Sequence, residues 1–395
     1  MKKSPLEKLI ETNPEAEIWW DSSPLIYTEW SESFLKKVPT EKTEEYKEQL
    51  KRFYDPQNPE NSLFRGVTTN PPLSLNVIKT KEEYVTQIVD EIISKNPGID
   101  KENLFWMTYK EIVKRGAEMY LKIFEKSNYK HGYLSGQVDP RVLTDKDKMI
   151  KQALELHDLS PNVMIKVPGS KEGYEVIKEL TSKGISTNNT LTFTLPQLMT
   201  CAKTVKEGLE IAKQNNVDLT KWRSVITYMA ARYGSLGDLK KEADSLGIEI
   251  SESDNRWAEI AIFKKAYQLL KERNYPSKML LCSMRISPTI DGKKQCWHLE
   301  KVAGGNIVYT CPPSFIEETF EYLEETDFKS QIDEEVPKTV LEKLSKIPYF
   351  EKAYREDGYT IDEFNTHSAL VATEKEFSKA TENMVDFVAK RLEKN

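Results

Sequence analysis

Short runs of apolar and β-branched residues alternate along the chain with longer stretches whose apolar positions recur every three or four residues. The runs are Ile18–Ser23, Leu63–Asn70, Tyr133–Asp139, Val163–Gly169, Ile185–Phe193, Ser224–Ala230, Lys278–Met284 and Asn306–Pro312. The clearest helical stretch between them covers residues 251–274. It opens with Ser251 three positions ahead of Asp254, a capping signal, and sets Trp257, Ile260, Phe263, Tyr267 and Leu270 on one helical face. Residues 170–183 and 196–214 have the same period. Strands alternating with helices predict a parallel sheet. Eight such units predict an α/β fold, a closed (β/α)8 TIM barrel, which takes about 250 residues.

The chain has 395 residues, so the surplus has to be placed. Residues 24–60 and 75–130 are longer than one crossover helix and read as helical insertions near the N-terminus. Residues 313–395 are highly charged and helical in pattern. They read as a C-terminal extension packed on the barrel or against a second copy in a homodimer. No Gly/Ser/Pro-rich linker and no internal repeat divides the chain, which predicts a single barrel domain over residues 1–395.

Composition removes several function classes. Hydrophobic residues make up 38%, charged residues 30%, and the formal net charge is -6. That balance offers nothing to draw the chain to nucleic acid or to an anionic membrane. No apolar run approaches the roughly 18 residues that span a bilayer. The N-terminus has basic residues without the apolar core of a signal peptide. Cys201, Cys282, Cys296 and Cys311 show no CxxC pairing, so reduced core cysteines and a cytoplasmic location are expected. His131, His157, His298 and His367 do not cluster at ligand spacing, and no metal is expected. Ala303-Gly304-Gly305, ahead of the eighth run, reads as a tight turn rather than a phosphate loop.

In a barrel of this kind reactions take place at the C-terminal ends of the strands. Polar residues there are the candidates. Asp21 follows the apolar Ile18-Trp19-Trp20; a carboxylate in that place is costly unless paired or used, or it caps a turn. Thr68-Thr69-Asn70-Pro71-Pro72 is a strand end entering a turn. Lys166 is the anomaly, because strand alternation puts it with Met164 on one face of Val163–Pro168. An inward lysine would be desolvated, which disfavours the ammonium and leaves an amine able to form a Schiff base. The other reading is a lysine that snorkels or pairs with a carboxylate. The fifth run adds Asn188, Asn189, Thr190 and Thr192. The sixth adds Thr227, with Arg232 five positions on, and the seventh is followed by Ser283 and Arg285. Guanidinium forks and hydroxyls suit a phosphate, and amides and hydroxyls suit a polyol.

On these residues the sequence resembles the transaldolase family. Gly66-Val67-Thr68-Thr69-Asn70-Pro71 is similar to its Thr-Thr-Asn-Pro signature, and Gln137-Val138-Asp139-Pro140-Arg141 to its third-strand motif. Ile165-Lys166-Val167-Pro168 resembles the motif around the Schiff-base lysine, and Asn188-Asn189-Thr190-Leu191 the Asn-x-Thr-Leu segment. Thr227 with Arg232, and Ser283-Met284-Arg285, resemble its phosphate-binding elements. The five segments lie in family order over residues 18–312. The resemblance implies a (β/α)8 barrel that uses neither metal nor organic cofactor. The activity it implies moves a dihydroxyacetone unit between sugar phosphates in the pentose phosphate pathway. By position, Lys166 would form the imine and Asp21 would take the proton whose loss breaks the C–C bond. Thr68, Asn70 and Asn188 would hold the donor, and Thr190 with Gln137 would hold the water of imine chemistry. Arg232, Ser283 and Arg285 would bind the phosphate, with Thr227 beside the sugar.

Two departures open alternatives. Transaldolases carry a glutamate where this chain has Gln137, whereas the related fructose-6-phosphate aldolases resemble it in having glutamine. Those aldolases have a tyrosine where this chain has Met229. A fructose-6-phosphate aldolase-like or variant-ketose enzyme is therefore a second reading. A non-catalytic sugar-phosphate-binding barrel is a third.

Overall fold

In the computed structural model, which describes residues 2–394, all eight apolar runs form strands of one closed parallel barrel. They are β1 (Glu17–Trp20), β2 (Phe64–Thr68), β3 (Tyr133–Gln137), β4 (Val163–Pro168), β5 (Thr187–Thr190), β6 (Ser224–Met229), β7 (Lys278–Cys282) and β10 (Ile307–Cys311). A small antiparallel hairpin, β8 (Thr289–Ile290) with β9 (Lys293–Lys294), lies outside the barrel. The order around the barrel is β1-β10-β7-β6-β5-β4-β3-β2. Every residue of β1, β3, β4, β5, β6 and β10 is buried. Parallel strands covered on both faces read as continuous apolar runs, which is why the sequence marks most of them clearly, although β5 itself is Thr-Asn-Asn-Thr.

The chain divides into two compact units: residues 1–18 with 167–373, and residues 19–166 with 374–395. In the second unit the insertion after β1 forms helices Tyr27–Leu35 and Thr43–Phe53. Its rings build an aromatic cluster on the first two strands. Trp20 lies 5.2 Å from Tyr27, 4.9 Å from Trp30 and 5.5 Å from Phe64 between ring centroids. Gly66 is required in β2, since a Cβ there would collide with the Trp19 indole. Residues 75–130 form the end of helix Pro71–Thr80, helix Glu82–Lys95 and the long helix Lys101–Lys126, which packs on β3. Buried Asn162, just before β4, donates to the carbonyls of Ala117 and Gly132, both at 2.8 Å. The last turns of helix Ser368–Leu392 also belong to this unit, where Arg391 grips Asp90 with two bonds of 2.5 and 2.6 Å.

In the first unit, helices Lys171–Ser182 and Leu195–Gln214 start at Ser170 and Thr194, whose hydroxyls accept from backbone amides three residues on. Helix Glu252–Glu272 begins in the expected Ser251–Asp254 capping box. Its single buried face is not as the periodicity suggested. Trp257 and Tyr267 are only half-buried, while Arg256, Glu259 and Lys264 are buried. For Lys264 the cause is the C-terminal segment. Helices Lys338–Leu344 and Pro348–Tyr354 pack on this helix, and Lys264 Nζ donates to the carbonyls of Gln331 at 2.6 Å and Glu334 at 2.7 Å. The Gly304 turn has the expected geometry, with φ +87°. Among the described residues no helix is long and apolar enough to cross a membrane.

Candidate active site at the strand ends

The second unit holds five of the sequence-derived candidates. Asp21 is the first residue after β1, and Thr68 is the last residue of β2. The Thr68 hydroxyl donates to Asp21 Oδ1 at 2.6 Å. A hydroxyl that donates to a carboxylate orients it and favours its ionised form. Thr69 turns its hydroxyl to the Ser135 carbonyl at 2.7 Å, so it ties β2 to β3 rather than facing a ligand. Asn70 acts as the cap of helix Pro71–Thr80, its Oδ1 accepting from the Leu73 amide at 2.9 Å. That is the turn role its Asn-Pro sequence suggested, and it leaves the side-chain amide N–H groups as donors for any second role.

Lys166 is only 5% exposed, within an otherwise apolar strand. Its Nζ donates to the Thr69 carbonyl at 3.0 Å. The β3–β4 register sets Gln137 directly opposite Lys166. Gln137 ends β3, is buried, and its Oε1 has no hydrogen-bond partner among the described residues. Its backbone is clamped by Tyr109, which accepts from the Gln137 amide and donates to the Gln137 carbonyl, both at 2.9 Å. Burial pushes the Tyr109 phenol well above its ordinary range, so it remains a donor. Arg141, in the same motif, is spent on structure: it grips Asp139 at 2.7 Å and Glu102 at 2.9 Å.

The first unit holds the other six. Asn188 in β5 accepts from the Thr227 hydroxyl of β6 at 2.7 Å, so these two are brought together. Asn189 points into structure, donating to the Val167 carbonyl at 3.3 Å and accepting from Thr192 at 2.9 Å. Thr190 ends β5 fully buried, and its Oγ1 has no hydrogen-bond partner among the described residues. The strand stops there because Leu191 turns to φ +55°. Buried Gln197 holds this turn, donating to the carbonyls of Gly169 at 3.0 Å and Leu191 at 3.3 Å. Met229, the last residue of β6, is buried. Arg232 sits half-buried in helix Ala230–Leu236, and Ser283 follows β7 at φ +57°. Arg285 is exposed, with Nη1 donating to the Met284 carbonyl at 2.9 Å.

Sequence reasoning missed a buried polar group beside these arginines. His298 Nδ1 accepts from the Arg285 amide at 3.0 Å, and His298 Nε2 lies 2.8 Å from Glu259 Oε2. Arg256 Nη1 lies 2.9 Å from the same carboxylate oxygen. His298 and Glu259 are 39 residues apart, and no spacing rule links them. Tyr109 was missed too, since an aromatic on a helix reads as core.

The family described as Transaldolase/Fructose-6-phosphate aldolase matches residues 48–381. A protein named Transaldolase 2 from Streptomyces avermitilis is 27% identical over 274 residues, 66% of this chain and 72% of that protein. A transaldolase from Mycolicibacterium smegmatis is 32% identical over 179 residues, 45% of this chain and 47% of its own. Transaldolase 2 of Streptomyces coelicolor is 29% identical over 209 residues, 52% of this chain, which spans 55% of that relative.

Proposed function

Because the chain belongs to the transaldolase/fructose-6-phosphate aldolase family, we propose that it transfers a dihydroxyacetone unit between sugar phosphates through a Schiff base on Lys166. The observation that carries this reading is the placement of Lys166. Its amine is buried in a barrel strand, 3.0 Å from the Thr69 carbonyl and in register with Gln137. Relatives named as transaldolases support the same chemistry.

The steps follow from the side chains. Lys166 Nζ attacks the ketone carbon of the donor, and the carbinolamine loses water to give an iminium. Asp21, oriented by Thr68, takes the proton from the hydroxyl on the departing carbon. The C–C bond then breaks, an aldose phosphate leaves, and the bonding electrons pass into the iminium to form an enamine. Attack of the enamine on an acceptor aldehyde returns the proton, and hydrolysis frees Lys166. Thr190 and Gln137 would hold the water that enters and leaves. Asn70 and Asn188 would bind donor hydroxyls, with Thr68 beside Asp21 and Thr227 beside Asn188. Arg232, Ser283 and Arg285 would hold the phosphate, by charge-assisted bonds suited to that group.

Fructose 6-phosphate with erythrose 4-phosphate should give sedoheptulose 7-phosphate. Borohydride with the donor should leave a mass adduct on Lys166 that the Lys166→Arg variant lacks. Folded protein that binds the donor but yields neither product nor adduct would make it a non-catalytic binder. A second reading, net cleavage to free dihydroxyacetone, is favoured by Gln137, because an amide can hold a water but cannot exchange a proton with it.

A further inference from the structure

We propose that His298 is a positioning residue for Arg285, fixing the backbone of the arginine that binds the substrate phosphate. This rests on the phosphate role assigned to Arg285 above. Three observations within one compact unit carry it.

The first is how the Arg285 backbone is held. Residues 283–288 leave β7 without regular structure of their own, so no ladder or helical bonds within the segment satisfy the Arg285 amide and carbonyl. The segment at 296–298 does so instead. The Arg285 amide donates to His298 Nδ1 at 3.0 Å, and the Arg285 carbonyl accepts from the Cys296 thiol at 3.3 Å. The Trp297 amide donates to the Ser287 carbonyl at 3.1 Å. Arg285 is thus an exposed side chain on a backbone gripped from beneath.

The second is the tautomer that this grip requires. Nδ1 accepts from a backbone N–H, so it carries the lone pair, and the ring proton must sit on Nε2. Nε2 then donates to Glu259 Oε2 at 2.8 Å. Burial, then the positive charges of Arg256 and Arg285, push the imidazole well below its ordinary pKa and keep it neutral. Burial pushes the Glu259 carboxyl up, against the pull of the Arg256 guanidinium. The carboxyl is the orienting partner that selects one face and one tautomer of the ring, as outer partners do for other functional histidines.

The third is that Glu259 also abuts the other arginine's helix. Gly234, two residues after Arg232, has no room for a side chain: a Cβ there would collide with Glu259 Oε1 and Asn255 Oδ1. One buried carboxyl therefore sets both the Arg285 loop and the backbone beside Arg232. Structural packing alone would be met by an apolar residue at 298. A fully buried His–Glu pair is costly to desolvate, and here its cost is matched by control over an arginine backbone.

The test compares His298→Asn with His298→Gln in the full chain. Asparagine can place its amide oxygen near Nδ1 and accept from the Arg285 N–H, whereas glutamine reaches toward Glu259 and leaves that N–H without its acceptor. His298→Asn should keep the KM for fructose 6-phosphate and the inhibition constant for inorganic phosphate within about threefold of wild type. His298→Gln should raise both about tenfold with kcat little changed, and should leave kcat/KM for unphosphorylated fructose unaltered. Equal effects of the two variants, or parallel losses on both donors, would overturn the proposal. Arg285→Gln is the control. If it leaves phosphate inhibition unchanged, the phosphate reading fails and this proposal with it. If it weakens inhibition while His298→Gln does not, only the positioning role fails. Nitrogen NMR of wild-type protein checks the tautomer independently of any variant, and a proton on Nδ1 would refute the scheme.

Discussion

His367 offers a quantitative prediction about acid stability. Its ring stacks between Phe193, at 5.9 Å and 12°, and Tyr349, at 5.2 Å and 28°, with Tyr359 edge-on at 5.4 Å. Neither ring nitrogen has a hydrogen-bond partner among the described residues. Burial is the main cause that lowers its pKa from 6.5 to about 4; nearby Asp238 opposes the shift and Lys352 adds to it. The unfolded chain therefore binds more protons than the folded one between these values. Stability is fully present above pH 6.5 and is lost as the pH falls toward 4. A shift of this size is worth about 3 kcal/mol in total, of which about 2 kcal/mol is lost between pH 7.5 and pH 5. Phenylalanine at 367 keeps the stack and removes the proton. Urea unfolding of wild type and His367→Phe at pH 7.5 and pH 5 should show a fall with acid that is about 2 kcal/mol smaller in the variant. Matching falls, within about 0.5 kcal/mol, would mean that the imidazole does not lose protonation on folding and would refute the reasoning.

Three further outcomes are expected. Asp21→Asn should still form the borohydride adduct on Lys166 but lose roughly 10²–10⁴-fold in kcat, read by coupled assay of the released aldose phosphate. Gln137→Glu should shift turnover from net cleavage toward transfer, measured as the ratio of free dihydroxyacetone to transfer product; an unchanged ratio would remove Gln137 from the proton path. Tyr109→Phe deletes two buried bonds to the Gln137 backbone. It should cost about 2–4 kcal/mol of stability by denaturant titration, because both backbone groups lose their partner.

The barrel strands were legible because each is short, buried on both faces and bounded by polar turns. Their ends were less so. The run Ile185–Phe193 shrinks to Thr187–Thr190, since Leu191 takes a left-handed conformation that apolarity does not signal. The two-residue strands around Asp291-Gly292 were missed although that dipeptide is a turn signal; strands so short have no pattern to read. Helix Glu252–Glu272 was placed within two residues at each end by its cap and period. Its buried charges were invisible because their partners lie elsewhere in the chain, the carbonyls of Gln331 and Glu334 for Lys264 and the His298 ring for Glu259. The candidate residues show the same division. Lys166 and Asp21 stood out as polar groups against apolar strands. Asn70, by contrast, spends its side-chain oxygen on a cap, and the local sequence does not tell a cap from a ligand. Glu259, His298 and Tyr109 gave no local sign, because their roles depend on partners 13 to 39 residues away.

The first eighteen residues belong to the unit whose remainder begins only at residue 167. Asn13 donates to the Gly304 carbonyl at 2.8 Å, the Gly304 amide donates back to Thr12 at 2.9 Å, and helix Pro5–Ile10 packs on helix Pro313–Tyr322. These partners lie 291 positions apart. At typical synthesis rates a ribosome needs roughly 15 to 60 s to add that much chain. For that time Leu6 and Leu9, fully buried in the finished molecule, are without the native cover of that partner helix. Residues 5–13 thus emerge long before the residues they dock on, and helix Pro5–Ile10 meets its partner only after helix Pro313–Tyr322 has been made.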